Sequence, residues 1–69
     1  MNKYIDIRDQ TQVLCNEHFG VGEVKVCLNG NRLGFFNADG LLCEFIIIDS
    51  LTKSENIDRI KQLLYLMDE

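Results

Sequence analysis

Between residues 22 and 49 apolar and polar positions alternate as they do in strands, and after residue 52 they recur at helical spacing. Residues 22–28 place Val24, Val26 and Leu28 on one side of an extended chain. Asn29-Gly30 follows, a strong short hairpin signal because both residues tolerate positive φ. Residues 32–36 read as the returning strand. Asn37-Ala38-Asp39-Gly40 has the residue order of a type I turn, and residues 41–48 make a third strand. A two-residue first turn sets Val26 opposite either Leu33 or Phe35. A bulge at a left-handed Gly40 sets Phe35 opposite Cys43 and Leu33 opposite Phe45.

This antiparallel meander has one wholly apolar face: Val24, Val26, Leu28, Leu33, Phe35, Cys43, Phe45 and Ile47. The other face is mixed, with Phe36, Leu42, Ile46 and Ile48 among Lys25, Arg32 and Glu44. Thr52-Lys53-Ser54-Glu55 matches a capping box, in which hydroxyl and carboxylate satisfy free backbone N–H groups at a helix start. Beyond it, Ile57, Ile60, Leu63, Leu64 and Met67 fall along one stripe, which is the natural lid for the apolar sheet face. Tyr65 and Leu66 lie outside that stripe. The first twenty residues carry a weaker pattern. Residues 4–8 alternate as a short strand, with Ile5 and Ile7 on one side. Asp9 is placed to cap a short helix over residues 10–18, and Phe19-Gly20-Val21-Gly22 reads as a loop. The class expected is α+β: a three-stranded meander on a C-terminal helix, preceded by a short strand and a short helix.

Length and charge narrow the picture further. The 69 residues make one domain with a thin core, spanning 1–69. Eleven acids against seven bases give a net charge of −4, whereas binding to a phosphate backbone relies on a positive footprint. Lys53, Arg59 and Lys61 are interleaved with Glu55 and Asp58, so nucleic acid and anionic membranes are disfavoured as partners. The N-terminus reads as lacking a signal peptide, and the longest apolar run, Phe45 to Ile48, is far short of a membrane span. A cytoplasmic chain with reduced thiols is expected, because three cysteines fit poorly with a disulfide framework.

The motifs that bear on chemistry are sparse. Cys15-Asn16-Glu17-His18 offers a Cys-x-x-His pair, and Cys27 and Cys43 would complete a zinc set. The strand register, however, puts Cys27 and Cys43 on opposite sheet faces, so no metal or other cofactor is expected. A Cys15/His18 or Cys27/His18 nucleophile pair is the catalytic version of the same residues, in a chain with little room for a pocket. Gly20-Val21-Gly22 lacks the third glycine and the helix of a phosphate loop. Turn chemistry accounts for Asn37 and Asp39 without calcium.

If the early helix forms, the order helix, meander, helix is similar to that of the double-stranded RNA-binding domain. That family grips phosphates with a basic start to its last helix. Here the corresponding stretch, Thr52-Lys53-Ser54-Glu55-Asn56-Ile57-Asp58, has one lysine and two acids, so the resemblance is one of topology. The leading expectation is a non-enzymatic protein-binding module, an inhibitor or regulator of another protein, with the homodimer as a further arrangement. Its Lys/Asn/Ile-leaning composition fits a phage or bacterial source. The interface candidates are Phe36, Leu42, Ile46, Ile48, Lys25, Arg32 and Glu44 on the mixed sheet face, with Tyr65 and Leu66 on the helix back. A nucleic-acid-binding regulator and a small thiol or metal protein are the alternatives. The open structural question is whether the first twenty residues cover the mixed face.

Overall fold

In the computed structural model, which describes residues 2–67, the chain runs through helix α1 (Lys3–Phe19), strands β1 (Lys25–Asn29), β2 (Arg32–Asn37) and β3 (Gly40–Ile46), and helix α2 (Lys53–Met67). The strands form an antiparallel sheet in the order β1-β2-β3. Gly30 takes φ +65° while no non-glycine residue among those described has positive φ, as a type II′ hairpin requires, and Val26 pairs with Phe35. At the second turn the Asp39 amide donates to the Asn37 side-chain oxygen at 2.8 Å, and Gly40 takes φ +116°.

The pairs Leu33–Phe45 and Phe35–Cys43 form as the turn chemistry implies. The bulge sits elsewhere. Asn37 pairs with Gly40 and Phe36 with Leu41, so the extra residue is Leu42 rather than Gly40. The regular part of β3 also stops at Ile46, two residues short of the expected end. Ile47 still donates its amide to the Asn31 carbonyl at 2.8 Å, and beyond it the side chain of Asn56 takes over the backbone of Ile48.

α2 begins on its capping box. The Glu55 amide donates to Thr52 Oγ1 at 3.1 Å, and the Thr52 amide donates to a Glu55 carboxylate oxygen at 2.9 Å. Its stripe does what the spacing implies: Ile57, Ile60 and Leu64 are buried, with Leu63 and Met67 packed beside them.

The N-terminal segment departs from expectation. Residues 4–8 are not a strand; they are the first turns of one helix that continues to Phe19. Asn2 caps it, its side chain accepting the Tyr4 amide at 2.9 Å, and the Gly20 amide closes it by donating to the Asn16 carbonyl. Ile5 and Ile7, which would share a strand face, separate on the helix: Ile7 is buried and Ile5 is exposed. α1 buries Ile7, Thr11 and Cys15, one residue per turn, in the same core as Val26, Leu33, Phe35, Ile57, Ile60 and Leu64. Both helices therefore lie on one face of the sheet. α1 runs beside β1 and α2, and its start is tied to the β3–α2 loop. Lys3 donates to the carbonyls of Asp49 and Leu51, the Tyr4 hydroxyl donates to the Asp49 carboxylate, and Lys53 lies 3.7 Å from Asp6.

Candidate functional site

Because α1 and α2 share one side, no element covers the other sheet face among the described residues. The ladder places Lys25, Phe36 and Leu41 in one row, Cys27, Gly34 and Glu44 in the next, and Asn29, Arg32 and Ile46 in the third. Leu41 is 53% exposed, Ile46 56% and Phe36 36%. Gly34 is buried beneath them: a Cβ there would lie 2.7 Å from the Phe36 ring, with a Leu41 methyl 3.5 Å away. The Phe36 ring thus lies over the missing side chain of Gly34, which gives the face a flat aromatic centre. Lys25, Arg32, Glu44 and Cys27 are exposed around it. The face is therefore apolar in the middle and charged at the rim.

The structure redistributes the residues singled out from the sequence. Phe36, Ile46, Lys25, Arg32 and Glu44 share the outer face as expected. Leu42 does not join them. The bulge moves it to the end of the sheet, where it borders a groove of about 470 Å³ with Phe19, Val24 and Met67. Ile48 is also displaced: it is half-buried beyond the end of β3, and its amide donates to Asn56 Oδ1 at 3.0 Å. Tyr65 sits in the groove between the two helices, edge-on to His18 with ring centroids 6.0 Å apart. Leu66 lies on the opposite flank of α2, beside Phe45 and Arg59. The candidates thus lie on separate surfaces rather than one. Leu41 is the residue that the sequence pattern missed. Its signal was the consecutive pair Leu41-Leu42, which breaks the two-residue alternation as a bulge does.

Cys15 and Cys43 lie on the helix-covered side of the sheet and Cys27 on the other. Cys15 is fully buried between α1 and the sheet, and burial, with Cys43 nearby, pushes its pKa up to about 11. Burial also raises the Cys43 thiol, which lies 3.6 Å from the Met67 sulfur. Cys27 faces outward on the uncovered side of the sheet, away from both. His18, on α1, packs edge-on to Phe19 and Tyr65 and lies across the sheet from Cys27. Among the described residues, no three His, Cys, Asp or Glu side chains converge as a metal would need. No helix among them is long and apolar enough to cross a membrane. No family model, curated protein or solved structure matches this chain.

Proposed function

We propose that the chain is a non-enzymatic protein-binding module, an inhibitor or regulator of another protein, and that it binds through the outer face of its sheet. The observation that carries this reading is the placement of both helices on one side, which leaves Phe36, Leu41 and Ile46 exposed around Gly34. A small domain stabilises itself most readily by covering its apolar faces. A face left uncovered, with an aromatic ring at its centre and charges at its edge, has the composition of an interface core and rim. The net charge of −4 favours a basic partner.

The test is paired capture from a lysate of the source organism, with the native chain and with a Phe36→Ser, Leu41→Ser double variant. Both side chains lie on the outer sheet face, away from the core, so the far-ultraviolet circular dichroism of the variant should stay native. A protein retained by the native chain and lost by the variant is the expected result. Identical retention by both, or retention of nothing by either, overturns the reading.

A second reading rests on the element order, since α1, the meander and α2 follow one another as they do in the double-stranded RNA-binding domain. Its cost is the charge: Lys53, Arg59 and Lys61 on α2 are offset by Glu55 and Asp58. A shift of duplex RNA at physiological salt would favour it over the first.

A further inference from the structure

The two edges of the sheet are finished differently. On β1, Gln12 of α1 acts as a neighbouring strand would. Its side-chain amide donates to the Val24 carbonyl at 2.8 Å and accepts the Val26 amide at 2.9 Å, while Arg8 donates to the Val26 carbonyl at 3.0 Å. On the other side, Asn56 of α2 engages both backbone groups of Ile48. Between the Leu42 bulge and Ile48, the edge of β3 away from β2 has no strand beside it among the described residues. The Ile47 amide reaches inward to Asn31, and Ile46 stands opposite Arg32. Alternation along the strand then turns the N–H and C=O groups of Ile46 and Glu44 away from β2.

We propose that this edge pairs with the same edge of a second copy of the chain, antiparallel about a twofold axis at Phe45, so that two sheets become one. The register follows from the groups present. An axis at Glu44 would set two carboxylates directly opposite each other, which is destabilising. An axis at Ile46 would pair Glu44 with Ile48, whose backbone is already held by Asn56. An axis at Phe45 pairs Glu44 with Ile46 of the second copy on both sides of the dyad, and every outward group between them gains a partner.

The helices agree with that axis. Cys43 lies beside Met67, and Ile48 is held by Asn56, so α2 runs antiparallel to β3. With a rise of about 3.3 Å per strand residue and about 1.5 Å per helix residue, Phe45 is level with Gln62 and Leu63. Phe45 and Leu63 indeed line one groove of about 260 Å³ with Arg59 and Leu66. The twofold axis then sets Leu66 against the aliphatic stem of Arg59 from the second copy, an apolar contact without like charges facing. It accounts for Leu66 standing 68% exposed on the flank of α2. The outer faces of the two copies come to lie side by side, so the dimer goes beyond the proposed binding surface without depending on it.

Light scattering coupled to size exclusion over a concentration series tests this on the native chain. The mass should rise towards twice 8.0 kDa as concentration increases, and the amides of Glu44 and Ile46 should exchange more slowly with solvent as it does. Glu44→Pro removes an N–H that the chain itself does not use, and proline is tolerated on such an edge. Leu66→Glu attacks the helix contact independently. Each should abolish the dimer while far-ultraviolet circular dichroism stays native, and Phe36→Ser with Leu41→Ser should leave the dimer intact. A single-chain mass at every concentration overturns the proposal and leaves the edge to a foreign strand. So does a dimer that survives both edge variants, or one lost only on changing Phe36 and Leu41.

Discussion

Asn56 sits fully buried in the first turn of α2, where its amide binds the N–H and C=O of Ile48 and the Thr52 carbonyl. A buried polar group that loses its partner costs far more than the bond itself contributes, because it was desolvated for that partner. Asn56→Ala strands both groups of Ile48 and should destabilise the fold by about 2–4 kcal/mol, read as a lower urea midpoint at an unchanged slope. Thiol chemistry is also decided residue by residue. With a raised pKa and no exposure, Cys15 should resist a disulfide reagent in the native chain. Cys43 should react slowly and Cys27 first, and Cys27→Ser should remove the fast phase. Equal rates at all three sites in the native state would contradict this placement. The raised Cys15 value has a stability consequence too. Below the ordinary thiol value of 9 the folded and unfolded thiols are both protonated. Stability should therefore fall as pH climbs from 9 towards 11, where only the unfolded chain has released the proton.

Among the elements, α2 was the most legible and α1 the least. The capping box names its own pH dependence. The hydrogen bonds from the Thr52 backbone and then the Thr52 hydroxyl hold the Glu55 carboxyl below its ordinary value of 4.5. A depressed folded pKa stabilises fully above the unfolded value, and that contribution is lost as pH falls through the folded one. Thr52→Ala should lower stability by about 1 kcal/mol at neutral pH, and the gap between variant and native chain should narrow in acid as Glu55 protonates. Thermal melts of both chains from pH 7 to pH 2 would show it, and a gap that stays constant would refute it. α1 hid because its buried line is Ile7, Thr11 and Cys15, while Ile5 and Val13 point outward. A helix that buries a threonine, whose hydroxyl donates to the Ile7 carbonyl at 2.6 Å, and exposes an isoleucine leaves a blurred hydrophobic period. The cap Asn2 and the closing Gly20 were its cleaner signals.

At the scale of the molecule, the helices close the sheet as much through polar side chains as through apolar ones. Gln12 and Arg8 occupy the backbone of β1 that would otherwise template another chain. Arg8→Ala with Gln12→Ala should leave the core in place but open that edge. The double variant should associate beyond the dimer as concentration rises and lose protection of the Val26 amide, neither of which is expected of the native chain. A variant that exchanges Val26 at the native rate would show that the seal is not made by these side chains. The choice of face is also a whole-molecule property. α1 could have packed on either side of the meander as far as its own residues go, and its position beside α2 is what leaves Phe36 and Leu41 in solvent.

What the sequence determined by itself was short-range. The Gly30 and Gly40 turns, the pairing of Phe35 with Cys43, the apolar face around Val26 and Leu33, and the Thr52–Glu55 cap all depend on neighbours within a few residues or on strict alternation. The physics of such contacts is written into residue type and spacing. What only the tertiary structure decided was long-range and polar. The single run of α1, its docking beside α2, and the side-chain seals made by Gln12 and Asn56 belong here. These depend on which surfaces meet across the fold. A polar side chain that completes a distant backbone looks, in the sequence, like any solvated residue.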